Sequence, residues 1–279
     1  MTSPLLRRAG PPDPDGVVVR TDPADAGWSY VSFAVHRLAP GAVVRRPADG
    51  DEVLVLVLEG RAGVTVADAP AVPGGSWEGL GSRESVFDRP PPPLVLAAPG
   101  ADVSVIAESD ALIGIASAPG GTTRITRLIE SDGIHVEERG SGVTARRVHH
   151  LLPPSAEAGR LIAFEVFTPG GNWSSYPPHK HDTEDQPRES YIEELYFYRF
   201  AKAQGYALQR VYTPDRTLDE IIAPQDADLV LVPRGYHPVG VPAGYDCYYL
   251  NIMAGHTRLW HFTIDPEHAW LMDWSPPPS

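Results

Sequence analysis

Two histidines two positions apart, His179 and His181, stand in the stretch Gly170–Arg199 (GGNWSSYPPHKHDTEDQPRESYIEELYFYR), and a carboxylate pair, Glu193 and Glu194, follows them. A third histidine, His237, closes the turn Pro233, Arg234, Gly235, Tyr236, His237 further along the chain. Neutral imidazoles and a carboxylate suit a borderline divalent cation such as zinc, manganese or iron(II), and three histidines with one carboxylate leave room for water or substrate. If both segments are strands, His179 and His181 share a face, Glu194 shares one with Tyr196 and Tyr198, and Lys180 points away from the ligand side.

The elements that must position these groups are short strands. Pro177 and Pro178 precede the histidine pair, the Glu193–Glu194 run is rich in aromatic and β-prone residues, and Leu229 to Val232 leads into the turn that carries His237. The order His-x-His, Glu, His resembles that of the cupin superfamily, in which a small antiparallel barrel aims four ligands at one interior point. The segments Asn172 to Asp182 (NWSSYPPHKHD), Gln209 to Thr213 (QRVYT), Leu231 to Val239 (LVPRGYHPV) and Tyr248 to Gly255 (YYLNIMAG) extend the likeness. Together they resemble the 5-deoxyglucuronate isomerase family of myo-inositol catabolism, whose relatives include the 5-keto-4-deoxyuronate isomerases. The turn carrying His237 is one residue shorter than in the general cupin pattern. An insertion from Asp182 to Ser190 separates the histidines from their carboxylate and leaves Glu193 and Glu194 as alternatives, with Glu194 favoured.

The resemblance implies an all-β bicupin and one divalent metal ion, zinc, manganese or iron, on His179, His181, Glu194 and His237. It also implies an aldose-ketose isomerase that converts 5-deoxy-D-glucuronate to 5-dehydro-2-deoxy-D-gluconate through a cis-enediol. Such an enzyme needs a group that moves a proton between two carbons. Tyr198, on the face of Glu194, is one candidate, and a hydroxide held on the cation is an equal one. It also needs a grip on the sugar. Arg210, on a strand from Tyr206 to Thr213 with Tyr212 at the same parity, could hold a uronate carboxylate by two hydrogen bonds, and Tyr249 and Asn251 could reach the hydroxyls. An iron cupin dioxygenase and a non-catalytic acidic-sugar-binding cupin are the rival readings, since the ligand set alone does not exclude them.

The remaining features narrow the setting. Thirty prolines and twenty-six glycines in 279 residues favour many short strands over long helices. A net charge of −13 argues against nucleic-acid and anionic-membrane partners, which need a basic face, and leaves a small anionic sugar as the expected partner. The one cysteine, Cys247, rules out an intrachain disulfide and reads as a buried inert thiol. No apolar stretch has signal-peptide or membrane-spanning length, so a cytoplasmic protein is expected, with a homo-oligomer as a possible state built on aromatic residues in Leu259 to Trp274.

The pattern predicts two packed cupin-like domains, residues 1–125 and 126–279, with a strand over Thr122 to Leu128 between them. The first has the rhythm of strands and turns but carries Arg45 and Arg46 where a histidine pair would stand, and guanidiniums do not ligate metal. Glu52 alone cannot hold a cation, and His36 reads as an ordinary strand residue. The adjacent His149 and His150 must face opposite sides of a strand and read as surface or interface groups.

Overall fold

The computed structural model describes residues 3–121 and 124–274. Long runs of Val, Leu and Ile in the first half and of aromatic and β-branched residues in the second give antiparallel strands, with one four-residue α-helix, Pro23–Ala26, among the described residues. The chain divides into two compact units.

The first unit comprises Gly10–His135 and Leu151–Ile162. A six-stranded sheet runs in the order Arg127–Ile129, Leu94–Ala97, Asp51–Glu59, Ala111–Pro119, Ser32–Leu38, Val17–Thr21, and a four-stranded sheet in the order Val43–Arg46, Val103–Ala107, Ala62–Val66, Gly75–Leu80. Val55, Val57 and Ile113 of the first sheet and Val64, Val103 and Val105 of the second form one buried cluster, so the sheets close on each other around it. The expected strand over Thr122 to Leu128 begins among residues outside those described, and the observed strand is Arg127–Ile129.

The second unit comprises residues 3–9, 136–150 and 163–274. Its central strand is Glu189–Phe200, paired with Cys247–Gly255 on one side and Leu229–Val232 on the other. The sheet continues through Ile162–Thr168 and Arg146–Leu152 to His135–Arg139. A four-stranded sheet of Trp173–Ser174, Val239–Gly240, Leu208–Tyr212 and Asp219–Ile222, and a two-stranded one of His179–Lys180 with Thr263–Ile264, complete the unit.

A single cut near residue 125 therefore does not describe the domains. Leu6–Arg7 pairs with Leu229–Val232 of the second unit, with Leu5 and Leu6 buried, and Arg8 and the Ala9 amide bind Asp228 at 2.6 and 3.0 Å. Conversely, residues 151–162 belong to the first unit, where the buried Glu52 carboxylate accepts the backbone N–H groups of Gly159, Arg160 and Leu161 at 2.6, 2.5 and 2.6 Å. Glu52 thus fastens backbone rather than metal.

Candidate metal centre and cavity

Strand alternation sets the inner face of the second unit. Register pairs Glu194 with Met253, Tyr196 with Asn251 and Tyr198 with Tyr249, so all six side chains lie on one side of the sheet. His179 is brought to that side by the short pairing of His179–Lys180 with Thr263–Ile264. The Asp182–Ser190 insertion is a hairpin, in which Asp182–Asp185 pairs back on the central strand. Buried Glu189 holds it by accepting the amides of Asp182 and Thr183, each at 2.9 Å, together with Lys180 Nζ at 2.8 Å. Lys180 points away from the ligands, as the spacing predicts.

His237 is placed by its turn. Gly235 has φ +88°, and a Cβ there would lie 2.3 Å from the Tyr212 carbonyl oxygen, so a side chain could not pass this close to the neighbouring strand. The Gly235 amide donates to Asp182 at 2.7 Å, and Tyr236 bridges to Tyr212. The turn is thereby tied both to the hairpin and to the sheet.

The three imidazoles converge. Each Nδ1 lies at hydrogen-bonding distance from a backbone carbonyl: His179 from Pro177 at 3.2 Å, His181 from Ile192 at 3.0 Å and His237 from Gly235 at 2.9 Å. A carbonyl oxygen can only accept, so Nδ1 carries the proton and Nε2 presents its lone pair. Potential ligand atoms of the three histidines lie within 4.8 Å of one another. Glu194 Oε2 sits 2.9 Å from His181 Nε2 and 3.2 Å from His237 Nε2, and the latter is buried with no hydrogen bond. Lone pairs of nitrogen and carboxylate oxygen so close together repel unless a cation or protons lie among them. The donor set thus fits a divalent metal ion, with carbonyls behind the histidines fixing their tautomer.

The charge states of His179 and Glu194 agree with that fit, and at His181 a proton takes the place that a cation would fill. Burial, followed by the neighbouring imidazoles, pushes His179 down to about 3, so it is neutral at ordinary pH. Burial alone would raise the Glu194 carboxyl, but the close approach of the His237 and His181 rings holds it well below the usual carboxylate range, so it stays a carboxylate. For His181 burial acts downward and is outweighed by the hydrogen bond and charge of Glu194, leaving it raised.

Above the cluster is a cavity of about 350 Å³, within the ~300–1,000 Å³ range of small-molecule sites. His179, Glu194, Tyr196, Tyr249, Asn251, Arg139 and Arg146 form its polar lining, and Phe164, Trp260, Phe262 and Met272 are among its apolar walls. Asn251 donates to Glu194 Oε1 at 2.7 Å, so its amide steadies the carboxylate as well as facing the cavity. Asn251→Ala is expected to weaken metal binding by about 10- to 100-fold, as losses of outer hydrogen bonds to metal ligands do; titration with a fluorescent zinc chelator measures it.

Other sequence expectations are placed differently. Glu193 lies on the opposite face from the histidines. Tyr198 is fully buried and donates to Gln209 at 2.9 Å, and the tyrosine that lines the cavity is Tyr196, bonded to Ser175 at 2.9 Å. Arg210 and Tyr212 share a face, but it is the outer one, because neighbouring Gln209 is the residue that turns inward. Arg210 binds Asp219 with two bonds of 2.7 Å and lies over the Tyr212 ring, whose hydroxyl donates to Asp265 at 2.7 Å. The arginines at the cavity are Arg139 and Arg146, which the spacing argument missed.

His149 and His150 do face opposite sides, but His149 is fully buried, 2.7 Å from Glu165, rather than on a surface. His150 bonds Glu137 at 2.9 Å. Cys247 is buried, and burial raises its thiol pKa well above the usual value. In the first unit Arg46 is engaged by Asp49 and Asp51 at 2.5 and 3.1 Å. His36 Nδ1 meets the Asp15 carbonyl at 3.1 Å.

Fold and site together define a bicupin whose second unit gathers three histidines and one glutamate in an arrangement that fits a divalent cation. The chain belongs to the KduI/IolB family, whose sequence model matches residues 5–271. It is 44% identical to a 5-deoxy-glucuronate isomerase of Geobacillus kaustophilus over 97% of this chain and 96% of that one. It is 41% identical to the enzyme of the same name from Bacillus subtilis strain 168, covering 90% of each. The crystal structure of an IolB-like protein from Salmonella typhimurium superposes with a TM-score of 0.91 at 42% identity, covering 96% of this chain and 99% of that one. Oxalate decarboxylase of Lactobacillus farciminis, at 13% identity, shares the fold with a TM-score of 0.63 over 99% of this chain and 92% of its own.

Proposed function

We propose that the protein is an aldose-ketose isomerase converting 5-deoxy-D-glucuronate to 5-dehydro-2-deoxy-D-gluconate in myo-inositol catabolism. The observation that carries the reading is the three-histidine, one-glutamate cluster beneath a cavity of substrate size, in a chain nearly coextensive with relatives of that name. His179, His181, Glu194 and His237 would hold the metal. A divalent cation held there would supply Lewis-acid polarisation of a carbonyl and its neighbouring hydroxyl, making the C–H at the hydroxyl-bearing carbon more acidic.

The chain's own groups do the rest. Asn251 keeps one Glu194 oxygen occupied and leaves the other turned to the histidines. Tyr196, whose pKa burial raises well above 10, stays a neutral phenol able to donate or relay a proton at the substrate oxygens, with Ser175 as its partner. Tyr249, also raised by burial, presents a second neutral hydroxyl. The apolar wall of Phe164, Trp260 and Phe262 limits water around the reacting carbons. Zinc, manganese and iron(II) all suit this ligand set.

Among the described residues no helix is long and apolar enough to cross a membrane; a cytoplasmic site is proposed because the relatives are named for an enzyme that acts on a small soluble sugar acid. Incubating the metal-replete protein with the acid sugar under air, while following both the 5-keto product and dissolved oxygen, tests the reading. Product without oxygen uptake is expected. Oxygen uptake would favour an iron dioxygenase, and binding without turnover a sugar-binding cupin.

A further inference from the structure

Arg146 is a half-buried guanidinium on the wall of the cavity that holds His179 and Glu194. Its two hydrogen bonds go to backbone carbonyls, Thr144 at 2.8 Å and Tyr176 at 3.4 Å, and among the described residues no carboxylate forms an ion pair with it. Arg139, on the neighbouring strand His135–Arg139, lines the same cavity. Its partner is Glu137, at 3.1 and 2.8 Å, which also accepts from His150 at 2.9 Å. Arg139 is thus matched by Glu137 while Arg146 is matched by no carboxylate ion pair among the described residues, and this wall keeps an unmatched positive charge in a protein whose net charge is −13. An unmatched charge at a partly desolvated wall calls for an anion from outside.

We propose that Arg146, with Arg139 beside it, receives the carboxylate of the substrate and makes the site selective for an acid sugar over its neutral counterpart. This deepens the isomerase reading and rests on it. The planar fork of a guanidinium matches a carboxylate, and an acid held there by one end can present its aldehyde end to His179 and Glu194, which line the same cavity. Arg210 is already matched by Asp219 and takes no part.

The test compares 5-deoxyglucuronate with 5-deoxyglucose, which has a hydroxymethyl group in place of the carboxylate. Arg146→Gln is expected to lower kcat/KM for the acid about 100-fold, mostly through KM, as loss of a hydrogen-bonded charge partner does. The neutral sugar should change less than about threefold, bound metal should be retained, and Arg146→Lys should restore part of the loss. Arg210→Gln should behave as wild type on both sugars. Equal losses on the two sugars, or no loss on the acid, would overturn the assignment. Calorimetric binding of both sugars to metal-loaded wild type and variant separates this proposal from the reading beneath it. If wild type turned over neither sugar, the isomerase reading would fail. Acid-selective binding lost in Arg146→Gln would still sustain the arginine site, and equal binding of the two sugars would overturn it.

Discussion

Replacing His237 with alanine is expected to leave the purified protein without stoichiometric metal and to lower kcat/KM for 5-deoxyglucuronate about a thousandfold or more. The size follows from the several kcal/mol that a Lewis acid supplies to a developing oxyanion, at 1.4 kcal/mol per tenfold in rate. His237 is fully buried, with its Nδ1 fixed by the Gly235 carbonyl and its Nε2 facing Glu194, so its removal takes away one of four converging donors. Glu194→Gln should have a comparable effect, because an amide offers no negative charge. Elemental analysis and circular dichroism of each variant separate loss of metal from loss of fold. A folded His237→Ala protein that kept one equivalent of metal on the wild-type ligand set would refute the assignment.

The largest expected effect on stability lies far from this chemistry, at Glu52. Its carboxylate accepts three backbone amides from Gly159, Arg160 and Leu161 while only 1% exposed. Glu52→Ala would leave those donors unpaired, at a cost of about 4 kcal/mol once non-additivity is allowed for. At roughly 2–4 °C per kcal/mol for a domain of this size, the melting temperature should fall by about 10 °C. Glu52→Gln, which keeps an acceptor oxygen, should lose less. Calorimetry of the three proteins measures this, and an Glu52→Ala transition within 2 °C of wild type would show that the segment is held by other contacts.

The convergence of His179, His181, Glu194 and His237 was legible because each sits in a pattern that fixes direction locally. His-x-His and the Glu194 run follow strand alternation, and the Gly235 turn aims His237. The fold class was legible for the same reason, from short apolar runs broken by proline and glycine. The arginines of the cavity were not. Arg139 and Arg146 lie on outer strands of the sheet, and only the order of strands brings those onto the cavity wall. Arg210 and Tyr212 had the expected common parity, but parity cannot say which of two faces is inward, and Gln209 took that place. Tyr196 and Tyr198 also share a face, and what each hydroxyl bonds to tells them apart. Tyr196 bonds Ser175 and lines the cavity, whereas Tyr198 is fully buried and bonded to Gln209. A strand as short as Leu6–Arg7 carries too little pattern to reveal its partner, which is why a single boundary failed to describe the domains.

The central claim is that this site isomerises 5-deoxyglucuronate with the help of a bound cation. The most direct measurement is a proton NMR time course of the metal-replete protein with that sugar in deuterium oxide, beside chelator-treated and re-metallated samples. The 2-deoxy-5-keto acid should appear in the first sample, vanish on chelation and return with a divalent ion. Deuterium at the new hydroxymethyl carbon would mark proton transfer through an exchanging group. An aldehyde that stays untouched by the metal-loaded protein would contradict the account.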